Sequence, residues 1–209
     1  MVKKLFFAAL AALAMVGCNE KNVEVSEMKP GEKIQLTVKL PEGATKVTGA
    51  PADAQVNDLQ IFVFDKNGVY ETSSHGTGAT LTLTCTSGEK QIVALANAPL
   101  ETGIDNIAEL GASVSDLADC AAGNIVMSGM VVKELTASST VTMEVERLAA
   151  KVGVSQISTA FELDQHKQMT FDIKAIYLIN VAGDKAYLDQ NEPSKWYNLG
   201  KHDAGNTLG

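Results

Sequence analysis

Residues 59–68 read Leu-Gln-Ile-Phe-Val-Phe-Asp-Lys-Asn-Gly, and the fold class turns on them. The run from Leu59 to Phe64 is too short for a helix and becomes apolar on both faces toward its end, as a strand buried on two sides must. Asn67-Gly68 after it is a strong hairpin signal. Asp65 and Asn67 also resemble the opening of a calcium loop, but the glycine comes too early and no closing glutamate follows, so the turn reading stands. Downstream, Leu81, Leu83 and Cys85 alternate with threonines, Ser87-Gly88-Glu89 turns the chain, and Ile92 to Pro99 is a second buried strand. From Ile104 to Ala122 the period changes. Ile107, Leu110, Val114, Leu117 and Ala118 recur at helical spacing, with Ser113 or Ser115 as the expected cap. Strand signals return at 125–132, at Val141, Met143 and Val145, at 152–157, and at 169–181, the longest. Upstream, Ile34, Leu36, Val38 and Leu40 alternate with polar residues, and Pro41 to Pro51 is a breaker-rich loop. Short strands separated by turns predict an all-β sandwich with a short helical insertion. No glycine-rich phosphate loop follows any of them.

The other decisive stretch opens the chain. Lys3 and Lys4 precede an apolar run, Leu5 to Val16, that ends in Gly17-Cys18. Such a run is well short of the ~20 residues a membrane helix needs, but it suits a secretory signal. Its end resembles the lipobox of bacterial lipoproteins, which implies cleavage before Cys18 and acylation there by palmitate-class chains. Two or more acyl chains on one residue hold a protein stably on a membrane. The polar stretch after Cys18 reads as a tether.

The formal charge is −8. Without Lys3 and Lys4 the balance is 15 basic residues against 25 acidic, or −10, and Arg147 is the only arginine. A chain with no Lys/Arg cluster is not a nucleic-acid binder. With Cys18 acylated, Cys85 and Cys120 remain as candidates for a disulfide in an oxidising compartment, or as two buried small apolar residues, the preferred reading. His75, His166 and His202 sit in separate polar turns without metal-ligand spacing, so no metal and no cofactor is expected. Ser73, Ser74 and His75 point to alternate faces of an extended chain, and Asp164 and His166 have no nucleophile beside them. The chain is not expected to be an enzyme. Trp196 and Tyr197 read either as a stacking platform for sugar or, preferably, as residues packing beneath a further domain.

Three strings, VNDLQIFVFDKNGVY at 56–70, GEKQIVALANAPL at 88–100 and VTMEVERLAAKVGV at 141–154, precede a strand ending in YLIN. With the lipobox they resemble the FimA-type fimbrillins, the structural subunits of type V pili, over about residues 1–182. The resemblance implies transthyretin-like Greek-key β-sandwiches, export as an outer-membrane lipoprotein precursor, and removal of the first strand by a surface protease. The exposed groove then takes a donor strand from another fimbrial subunit. Cleavage in that family follows an arginine. This chain has none between Cys18 and Arg147, so Lys46 in the Pro41–Pro51 loop is the expected site.

The expected organisation is therefore 1–17 signal peptide, 18–46 lipidated tether and removable first strand, 47–182 fimbrillin N-terminal β-sandwich, and 183–209 the start of an incomplete second domain or a tail. The expected role is a subunit of a cell-surface fimbria, assembled by donor-strand exchange. Its alternatives are a lipid-retained fimbrial anchor, or a lipidated surface module binding glycan or a host protein.

Overall fold

The computed structural model describes residues 31–41, 55–158, 160–170, 172–188 and 191–200. Met1–Gly17, Cys18, Lys46 and the tail from Lys201 lie outside the described residues.

Two sheets face each other. The larger runs β3 (Tyr70–Thr77), β2 (Asp58–Asp65), β5 (Gly88–Ala96), β7 (Met127–Leu135) and β9 (Glu146–Arg147), antiparallel throughout. The smaller has β1 (Lys33–Lys39) between β4 (Thr80–Thr86) and β8 (Ser139–Thr142). The main core lies between the sheets: Ile34, Leu36, Val38 and Leu40 on one side meet Leu59, Ile61, Val63, Ile92 and Ala94 on the other. Alternate residues of the same β2 and β5, namely Phe62, Phe64, Val93 and Leu95, enter a second cluster on the outer face, with Ile104, Leu110, Val126 and Tyr187. β2 is apolar on both faces because both are covered.

At Asp65–Gly68 only Gly68 has positive φ (+79°). The turn is thus a three-residue loop with glycine in the left-handed position rather than the two-residue turn that Asn-Gly suggests. The Asp65 carboxylate accepts the Asn67 and Val69 amides at 2.8 and 2.9 Å.

The sequence expectation for 104–122 is corrected in part. α1 (Ile107–Ala112) is short, its N-terminus is capped by Asn106, whose side chain accepts the Glu109 amide at 2.9 Å, and Ser113 lies at its C-terminal end. Val114 belongs to β6 (Val114–Asp116), which pairs with β11 (Asp184–Ala186). Leu117 opens a 3₁₀ turn. The helical period broke there because Ser113 already takes extended geometry.

Two predicted strands are also absent. Residues 152–157 form no ladder, and of the described residues in 169–181 only Val181 belongs to a strand, in β10 (Val181–Ala182) with β12 (Trp196–Tyr197). Val152, Val154, Ile173, Ile176 and Leu178 are each at least half exposed. Alternation shows which side chains suit a sheet face, but a strand needs a ladder, and these segments have none among the described residues beyond Val181. β3 was missed for the opposite reason. It is an edge strand, Tyr-Glu-Thr-Ser-Ser-His-Gly-Thr, with no apolar alternation to read.

Candidate functional site

β1 occupies a slot made by strands that come much later in the chain. It runs antiparallel to β4, from Lys33 opposite Thr86 to Lys39 opposite Thr80. It runs parallel to β8, from Leu36 beside Ser139 to Lys39 beside Thr142. A parallel neighbour cannot come from a tight hairpin, so β1 is an inserted strand, hydrogen-bonded on both edges. The Lys39 carbonyl accepts the Met143 amide at 3.0 Å, and the Leu40 amide reaches the Ala79 carbonyl at 2.9 Å. At the other end the Ser87 amide donates to the Glu32 carbonyl and the Ser87 hydroxyl accepts the Glu32 amide. On the solvent face the Thr37 and Thr82 hydroxyls meet at 2.9 Å.

Inward, Ile34, Leu36, Val38 and Leu40 are at most 2% exposed. Each fills a position flanked by Leu83, Cys85, Val141 or Met143 from the two neighbours, and by β2 and β5 opposite. Burying each is worth about 1.5–3 kcal/mol, so the four together rival the net stability of a typical domain. A slot that takes four alternate apolar side chains and satisfies both backbone edges is, chemically, a receptor for one extended strand.

An ion pair with a buried lysine lies beside Thr86, opposite the Lys33 end of β1. Lys90 reaches Glu71 at 2.6 Å and the Thr86 hydroxyl at 2.8 Å, with the lysine side chain only 6% exposed. Cys85 lies close by, and burial pushes its thiol pKa up. Cys85 and Cys120 are both free, Cys85 buried and Cys120 partly so. Cys85 belongs to the core between the sheets while Cys120 packs on the cluster beyond the larger sheet, so a β-sheet stands between them.

Sequence reasoning missed two residues, one of them inside its own motifs. Asn97 of the VALANAP string is buried at φ +57°, a backbone state that asparagine tolerates. Its side chain accepts the Asn57 amide at 2.8 Å and donates to the Gln55 and Ile125 carbonyls. It ties three segments together at one end of the larger sheet. Gly129 faces inward where the chain crosses from β8 to β9, and a Cβ there would stand 2.3 Å from the Glu144 carbonyl oxygen. Neither role is visible before the chain is folded.

The remaining candidates are separate. His75 meets Asp58 at 2.5 Å on the exposed β2–β3 edge. His166 packs edge-on against Phe161 with Asp164 in the same 3₁₀ turn. Trp196 and Tyr197 are both partly exposed, and the indole N–H is donated to the Pro193 carbonyl. Among the described residues no three His, Cys, Asp or Glu side chains converge on a metal position.

The model of the FimA major fimbrial subunit protein matches residues 33–170, more than half of the 209. No curated protein matches. Among solved structures, a fimbrial assembly protein from Parabacteroides distasonis is 13% identical and superposes over 80% of this chain and 71% of its own, with a TM-score of 0.56, a shared fold. A fimbrilin from Porphyromonas gingivalis is 18% identical over 54% of this chain and 38% of its own, at a TM-score of 0.43. The tip fimbrial protein Mfa3 from the same organism, C-terminally truncated, is also 18% identical, over 55% and 44%, at 0.41. The chain spans less than half the length of these last two. The matched region begins at the first residue of β1 and runs through both sheets, and on that match the chain belongs to the FimA major fimbrial subunit family.

Proposed function

We propose that this fimbrial subunit is exported as a lipoprotein acylated at Cys18 and joins its neighbours by strand replacement in the β1 slot, after cleavage at Lys46, seven residues beyond the end of β1. The observation that carries this is the seat of β1. The first strand of the body lies in the middle of a sheet, between β4 and β8, with all its inward residues buried. Taking it away opens two backbone edges and an apolar trough at once, and a strand from another subunit restores both.

A second reading has one observation in its favour. The family's processing follows arginine, and no arginine lies between Cys18 and Arg147. A chain that escapes cleavage keeps its lipid and serves as the anchor that holds a fimbria on the outer membrane, with its own β1 still seated.

The test replaces Lys46 by a recognition sequence for a specific protease. Before cutting, an added peptide of residues 31–41 should leave the melting temperature unchanged. After cutting and removal of the N-terminal piece the melting temperature should fall, and the peptide should restore it. A Leu36→Asp version of the peptide should not. Equal stability of cut and uncut chain, with no response to the peptide, overturns strand replacement.

A further inference from the structure

Two side chains hold the backbone of β1 at its N-terminal end. The Ser87 hydroxyl, in the bend between β4 and β5, accepts the Glu32 amide at 3.1 Å. The Ser138 hydroxyl, in the bend between β7 and β8, accepts the Gln35 amide at 3.0 Å. The parallel ladder to β8 begins only at Leu36 beside Ser139, so Gln35 lies level with a stretch that is still turning into the sheet. The serine hydroxyl there serves in place of a ladder carbonyl. Ser87 does more, because its own amide reaches the Glu32 carbonyl at 2.8 Å and one residue thus holds both polar groups of Glu32.

These hydroxyls touch backbone alone, whereas Ile34, Leu36, Val38 and Leu40 are met by the core. The two kinds of contact ask different things of an occupant. The trough accepts an aliphatic alternation, and a slip of two residues keeps the same face inward. The hydroxyls ask for an N–H at two fixed places, which every residue except proline supplies. Pro30 stands two residues before Glu32, so a forward slip of that length would bring a residue without an N–H to Ser87.

We infer that Ser87 and Ser138 select the occupant of the β1 slot by its backbone: a strand from another subunit is admitted when it offers amides at the places of Glu32 and Gln35, and refused when proline stands at either. The inference rests on strand replacement in this slot and adds the feature by which the slot recognises its partner. The two serines differ in weight. Ser87 is 6% exposed, so water does not replace a lost amide there, whereas Ser138 is exposed and water does.

The test uses the full chain nicked at a protease site placed at Lys46, both pieces still together, with labelled peptides of residues 31–41 competing against the resident strand. In one peptide an ester replaces the Glu32 amide, in another the Gln35 amide. Each ester exchanges an N–H for an oxygen and keeps every side chain. On the unmodified slot the Glu32 ester should compete about tenfold less well than the parent peptide, and the Gln35 ester about threefold less well. Against Ser138→Ala most of the loss at Gln35 should disappear while the loss at Glu32 stays; against Ser87→Ala the pattern should reverse. Esters that match the parent on the unmodified slot, or losses that persist undiminished against both alanine variants, overturn the inference and leave strand replacement standing. A parent peptide that never enters the slot overturns both. Should Ser87→Ala fail to fold, the Gln35 ester against Ser138→Ala, a change at an exposed residue, decides the matter.

Discussion

Gly129 has no room for a side chain. A methyl group there meets the Glu144 carbonyl oxygen at 2.3 Å, and backbone rather than a flexible side chain must yield. Gly129→Ala should therefore lower stability by about 1–3 kcal/mol in urea unfolding, although alanine suits a strand better than glycine does. Asn97→Ala should be at least as severe, about 2–4 kcal/mol, since it leaves the Asn57 amide and two carbonyls unmet and keeps a positive φ without its polar side chain. Asp65 gives a pH signature. The Val69 amide, and after it the Asn67 contacts, hold its carboxyl below the ordinary range. A depressed folded-state pKa contributes stability that is present above the unfolded value and lost as pH falls through the folded one. The advantage of the wild type over Asp65→Asn should thus be full at neutral pH and shrink below about pH 4. An advantage that stays constant into strong acid would show that the turn does not depend on the charge. None of these roles could be read from residue type alone. Asn97 and Gly129 are set by what crosses them, and the crossing segments lie some 15 to 40 residues away.

Strands that bury one or both faces were legible. Ile34 to Leu40, Leu59 to Phe64 and Ile92 to Ala96 all fall where alternation or a continuous apolar run places them. Burial imposes a pattern on composition, so the core of the sandwich is written in the sequence. What escaped lies at edges and ends: β3 needs no apolar face, while 152–157 and 169–180 have apolar faces and, among the described residues, no ladder partner. The candidate site was half legible. The alternation of β1 was plain, but its place between β4 and β8 was not, because no local signal encodes a parallel neighbour so far along the chain. The element-scale prediction follows from that place. Leu36→Ala, at the centre of the four, should cost about 2–5 kcal/mol, whereas Thr37→Ala on the outward face should cost about 1 kcal/mol or less. If the two cost the same, β1 is not seated by its apolar face.

At the scale of the whole molecule, the ladders and the unpaired stretch should separate under trypsin. Lys90 is buried and Lys39 is hydrogen-bonded in the sheet through its carbonyl, whereas Lys167 and Lys174 are exposed in segments without a ladder. Brief digestion should cut at Lys167 and Lys174 well before Lys39 or Lys90. A cut at Lys46 should leave β1 in its slot, the two pieces travelling together on a native gel and parting only in denaturant. Early cleavage at Lys90 would refute the arrangement of sheets. The same insertion also sets a timetable for the newborn chain. Gln35 bonds to Ser138, 103 residues farther on. At a synthesis rate of about 5–20 residues per second, β1 waits about 5–20 s before β8 exists. During that interval the smaller sheet cannot close, and contacts of such long range are slow to form even afterwards. β1 can be held on both edges only once β8 exists, so the unfinished molecule passes through a stage in which one edge of its earliest described strand stands open to any suitable passer-by.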